Sequence, residues 1–135
     1  MEDQYWKRYK PEELEEKIKN NPVTEKGLQM LTSNNHIQVS FVIFENPQSK
    51  GVVMYCGCTN GIPKYHIVLN KLSLPKECIE TFAHELIHVY YNCGGTYLNA
   101  GHKQAIEELI EKEAIAAATT YSFVIESILR AYLKL

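Results

Sequence analysis

The chain has no run of basic residues, no internal repeat, and no apolar stretch approaching the ~20 residues of a membrane span. Its 14 Lys and Arg are outweighed by 16 Asp and Glu, for a net charge of -2. No stripe of cations is therefore available to neutralise phosphates, which argues against nucleic acid as a direct partner. The first seven residues, from Met1-Glu2-Asp3 to Lys7, are acidic and mixed and lack the apolar core of a signal peptide. This gives the expectation of a cytoplasmic protein without a membrane role. Cysteine is scarce, with four in total. Cys56 and Cys58 form half of a structural zinc site at most, since Cys78 and Cys93 supply no second closely spaced pair. All four read as reduced, buried or half-buried thiols. What remains is 135 residues, 45% hydrophobic and 22% charged, an ordinary composition for one domain spanning 1–135. A chain of this length buries roughly two thirds of its unfolded surface, so it needs no metal to fold, and a metal here would serve chemistry.

Pro11 begins a stretch with acids early and lysines late, through Lys19, as the dipole of a short surface helix prefers. A second helical segment runs from Val23 to Leu31 and stops at Ser33-Asn34-Asn35. From Ile37 to Ile43 the chain alternates in extended fashion, and Gly51 to Cys56 and Tyr65 to Leu69 follow as two further strands. Short connections between them suggest a three-stranded antiparallel meander. Ser73 or Pro75 starts the next helix, which reaches Asn92 before Cys93-Gly94-Gly95. A long helical stretch from about His102 to Leu133 follows, with a break expected near Thr119-Thr120. The fold class is therefore α+β.

The central helix carries His84-Glu85-Leu86-Ile87-His88, an HExxH sequence. At 3.6 residues per turn its two histidines lie about 40° apart on one face, within reach of one Zn²⁺. Glu85, on the flank of that face, is placed to act as general base toward a water and then to hand the proton to a leaving amine. Ile79, Phe82, Leu86, Val89 and Tyr90 gather on the opposite side as a core stripe.

A catalytic zinc usually has three protein ligands. The HExxHxxGxxH extension is absent, since Tyr91 and Gly94 stand at its Gly and final His. The downstream candidates are His102, Glu107, Glu108, Glu111 and Glu113. With Ile106 at 0°, Glu113 projects at about -20° within the apolar face, whereas Glu107, Glu111 and Glu108 fall at about 100°, 140° and 200°. A carboxylate on an apolar stripe is costly unless paired or bound to metal, which selects Glu113 as the third ligand.

The run from Tyr65-His66-Ile67-Val68-Leu69-Asn70 to Glu80-Thr81-Phe82-Ala83-His84-Glu85-Leu86-Ile87-His88 resembles the ImmA/IrrE-type zinc metallopeptidases. The segment Glu111-Lys112-Glu113-Ala114-Ile115-Ala116-Ala117-Ala118 looks like that family's downstream motif, whose second Glu would be the third ligand. The resemblance covers about 37–118. Ile87 departs from the Gly common in that family's helix, and Ile115-Ala116 from its Asn-containing run. It implies a gluzincin-like zincin fold and a zinc-dependent endopeptidase: a protein substrate, such as a helix-turn-helix transcriptional repressor, with His84, His88 and Glu113 on Zn²⁺ and Glu85 as base. The competing expectation is a zinc-retaining, non-proteolytic binding module of the same fold. A hydrolase of a non-peptide substrate is a third. Tyr90, Tyr91, Tyr97, Tyr121 and His102 are the available oxyanion donors, but each reads more readily as a packing or surface residue.

Overall fold

Pro11 occupies the first turn of α1 (Pro11–Asn20), with Glu12 and Glu13 early, Lys17 and Lys19 late, and Leu14 buried beneath it. Thr24 caps α2 (Glu25–Asn34) through Oγ1, which accepts a hydrogen bond from the Gly27 backbone N–H at 3.0 Å. Three strands follow: β1 (His36–Val42), β2 (Gly51–Thr59) and β3 (Ile62–Asn70). Helices α3 (Pro75–Tyr90), α4 (Ala100–Thr120) and α5 (Ser122–Leu133) complete the chain. The computed structural model describes residues 9–46, 50–71, 75–92 and 100–133. Among them the architecture is α+β, with five helices and one small sheet.

The sheet is mixed, which corrects the expected antiparallel meander. Its order is β1-β3-β2, with β1 parallel and β2 antiparallel to β3. Two local features account for this order. Asn60 and Gly61 both have positive φ, 54° and 80°, so they close a tight hairpin that makes β2 and β3 neighbours. The longer connection after β1 lets the chain step over one strand position before β2 begins. The central place then goes to β3, whose Ile67-Val68-Leu69-Asn70 is buried at four successive positions, between a neighbouring strand on each edge.

Every element contributes to one hydrophobic cluster. Tyr65, Ile67 and Leu69 of β3 and Val53 of β2 face Phe82, Leu86 and Val89 of α3. Ile106, Ile110, Ala114 and Ala117 of α4 and Ile125 and Leu129 of α5 extend it. On the opposite face of the sheet Val42, Val52 and Met54 are exposed, so the helices form one layer on one side. The long C-terminal helical stretch breaks at Tyr121, close to where it was expected. The expected stop signals at Cys93-Gly94-Gly95 and the candidate start at Ser73 lie outside the described residues.

Three tyrosines pin the connection between α1 and α2 to the helical layer. The hydroxyls of Tyr91, Tyr90 and Tyr121 donate to the backbone carbonyls of Asn21, Pro22 and Val23 at 2.8, 3.2 and 3.5 Å. These hydroxyls are engaged away from the histidines, in structural bonds that connect elements far apart in sequence.

Candidate metal centre

Helix α3 presents two faces with different tasks. Leu86 and Phe82 are fully buried in the core, while His84 and His88 lie one turn apart on the side turned toward α4. Their Nε2 atoms stand 3.3 Å apart. Two nitrogens at the ~2.0–2.1 Å ligand distance of a tetrahedral metal are separated by about this amount, roughly 3.3 Å. Glu107 of α4 completes the group: its Oε2 lies 3.0 Å from His84 Nε2 and its Oε1 3.2 Å from His88 Nε2. Among the described residues these three form the one set of His, Cys, Asp or Glu side chains whose ligand atoms converge, all within 4.8 Å of one another. The donor set is suited to a metal ion, and its nitrogen and oxygen ligands suit a borderline cation such as zinc.

Glu113, the third ligand expected from helical projection, is not in this group; the carboxylate that lies beside the two histidines is that of Glu107. The projection located the stripe of α4 that enters the core, and Ile106, Ile110, Ala114 and Ala117 are indeed buried. The His84, His88 and Glu107 cluster does not lie under that stripe. It sits at the seam between α3 and α4, and a seam residue must point roughly a quarter turn away from the core. Glu113 lies about 240° around the helix from Glu107 and ~9 Å further along its axis. One sequence signal could have found the seam: Glu107 and Glu111 repeat the four-residue spacing of His84 and His88, so two packed helices offer matching rungs.

Glu111 is the second rung. His84 Nδ1–H donates to its Oε2 at 2.7 Å, which holds the imidazole so that Nε2 is directed at Glu107 and His88. A carboxylate behind a ligating histidine fixes its tautomer and ring orientation. His88 needs less help because its side chain is only 3% exposed, against 18% for His84.

The electrostatics follow from this packing. Burial alone would raise the Glu107 carboxyl, but hydrogen bonds from His84 and His88 overcome it and hold the group down at about 2. Burial alone would lower His84, yet the hydrogen bond to Glu107 and the charge of Glu85 shift it above its usual range. Without metal both shifts favour a charged imidazole beside a charged carboxylate.

Glu85 is different in kind. It is 6% exposed, its carboxyl is raised by burial against the pull of the nearby histidines, and it has no hydrogen-bond partner among the described residues. Its environment is a cavity of about 320 Å³ that it shares with His84, Glu80, Thr81 and Glu111, with Lys50 and Gly51 along the other side. The start of β2 reaches this cavity because Gly51 has no side chain. A Cβ there would meet Thr81 Cγ2 at 2.6 Å and the Val68 carbonyl oxygen at 3.0 Å. An ion pair between Lys50 and Glu77, at 2.7 Å, ties the same end of β2 to the first turn of α3.

The other conspicuous residues do not join the cluster. His66 is hydrogen-bonded to Ser40 Oγ at 2.7 Å across β1 and β3, and His36 is exposed at the start of β1. Cys56 and Cys58 are exposed free thiols and Cys78 is half-buried, with its thiol pushed up by burial and by Glu77. Cys93 and Tyr97 lie outside the described residues. No helix among those described is long and apolar enough to cross a membrane. Comparison with models of known protein families, with curated proteins and with solved structures finds no match to this chain.

Proposed function

We propose that the protein is a zinc-dependent endopeptidase in which His84, His88 and Glu107 hold Zn²⁺ and Glu85 is the general base. The observation that carries the reading is Glu85 itself: a buried carboxyl with no hydrogen-bond partner among the described residues, lining the same cavity as His84 and following it directly in sequence. Burying an unpaired carboxyl is unfavourable, and a purely structural or binding role would be served better by an uncharged residue. Catalysis of proton transfer needs the carboxyl.

Zn²⁺ bound at the three side chains would supply Lewis acidity toward a carbonyl and make a water easier to deprotonate. The chain's own residues do the rest. Glu85 accepts the proton of the attacking water on a carboxylate oxygen, and its raised affinity for protons lets it retain that proton until a leaving amine takes it. Glu111 keeps His84 oriented throughout, since Nδ1–H is occupied by its carboxylate.

The substrate reading follows from the sheet. In the order β1-β3-β2 the strand β2 is an edge, and its first residue, Gly51, lines the cavity of Glu85. An extended peptide added along β2 would run past His84 and Glu85. The similarity of the His84 and Glu113 segments to the ImmA/IrrE-type peptidases supports a protein substrate, with a helix-turn-helix repressor as the kind to try. In this proposal Glu107 replaces Glu113 as third ligand. The test is incubation of the purified chain with a mixture of unstructured peptides, analysed by mass spectrometry. Cleavage that stops with a chelator and returns with added zinc is the expected result; unchanged peptides in the zinc-loaded sample would reject the reading.

A further inference from the structure

The cavity of Glu85 has a neighbour. A second cavity of about 580 Å³ lies between α3 and the middle of α4, lined by Lys76, Ile79, Ala114, Ile115 and Ala118. Glu80 and Glu111 line both cavities and mark where they join. The acidic side chains at this junction are not equivalent. The Glu111 carboxylate is occupied by His84, Glu77 by Lys50, and Glu107 by both histidines. Glu80 is exposed, makes no hydrogen bond or ion pair with any described residue, and stands one helical turn before His84 on α3. Glu85, buried and without a hydrogen-bond partner among the described residues, lines the first cavity, which marks that cavity as a place where a ligand is met.

We infer that Glu80 is a specificity determinant, selecting a Lys or Arg side chain of the peptide next to the bond held at Glu85. The aliphatic stem of such a side chain would lie over Ile79, Ala114, Ile115 and Ala118, and its cation would meet the Glu80 carboxylate, the arrangement that amphipathic side chains adopt on apolar surfaces.

This inference rests on the peptidase reading, so its test separates the two. Fluorescein-labelled alanine peptides with a single central Lys, Arg, norleucine or Glu are titrated against zinc-loaded Glu85→Gln protein by anisotropy, and are offered to the wild type for cleavage. The same measurements follow on Glu80→Gln and Glu80→Lys backgrounds. Tighter binding of Lys and Arg peptides than of norleucine, by about threefold or more at low salt, is expected. That preference should shrink at high salt, vanish in Glu80→Gln and invert toward Glu in Glu80→Lys. Equal affinity for Lys and norleucine, a preference that survives Glu80→Gln, or no binding of any peptide overturns the inference. Glu80-dependent binding of Lys peptides with no cleavage by the wild type supports the inference while refuting the peptidase reading. Cleavage without charge preference does the reverse.

Discussion

Glu107 of α4 straddles His84 and His88 of α3, offering Oε2 to one at 3.0 Å and Oε1 to the other at 3.2 Å. A carboxylate so placed is suited to be the third ligand, whereas Glu113 lies about 1.7 turns further along the helix. Replacing Glu107 with Ala should lower zinc affinity by at least about 100-fold, and Glu113→Ala should leave it within a small factor. Competition with a chromophoric chelator reads both. Equal losses for the two variants would contradict the assignment.

Glu111 should behave as an orienting residue. Glu111→Ala removes the acceptor of His84 Nδ1–H, and a reduction in metal affinity of about 10- to 100-fold is expected. Glu111→Gln keeps an acceptor oxygen and should recover part of it. A Gln variant as weak as the Ala variant would mean that charge, not orientation, is what Glu111 supplies.

The metal-free protein should be most stable at mildly acidic pH. Glu107, held down from 4.5 to about 2, contributes stability present above pH 4.5 and lost as pH falls through about 2. His84, shifted upward from 6.5, contributes stability present below pH 6.5 and lost as pH rises through its raised value. Glu85, raised by burial from 4.5, adds to the decline on the alkaline side because the fold favours its protonated form. Zinc reverses this trend, since ligating histidines must be deprotonated. Thermal melts from pH 3 to 9, about the range in which these groups titrate, should therefore show apo and zinc-loaded curves diverging as pH rises. Parallel curves would contradict this.

Gly51→Ala tests the docking of β2 beside the site. The added Cβ meets Thr81 Cγ2 at 2.6 Å and a backbone oxygen at 3.0 Å, so the strand or the helix must shift. A loss of about 1–3 kcal/mol in denaturant titration is expected. Thr81→Ser, which removes the nearer contact, should restore part of it. By contrast Tyr91→Phe, which loses the hydroxyl bond to the Asn21 carbonyl, should cost about 0.5–1.5 kcal/mol while leaving metal binding intact.

Much of this fold was legible because local rules and tertiary packing agree. Pro11 starts a helix, Asn60-Gly61 turns a hairpin, and the alternation around Val39 marks a strand. The pair His84 and His88 needed only the helical period. Strand order was not legible, because alternation says which residues face inward and nothing about which strand lies in the middle. The buried run Ile67 to Asn70 was the available hint. The place of Glu107 beside the histidines was not legible for a related reason. A helical projection gives directions relative to one helix axis, and the seam where α4 meets α3 is defined only once the two helices are packed. Glu107 looked solvent-facing because its partners belonged to another element.

Glu85→Gln bears most directly on the central claim. Zinc content and peptide cleavage should be measured on the same preparation, beside the wild type. The account predicts one equivalent of zinc in both proteins and cleavage only by the wild type. A variant that keeps its zinc and cleaves as fast as the wild type would contradict it, because the buried carboxyl would then have no part in the reaction.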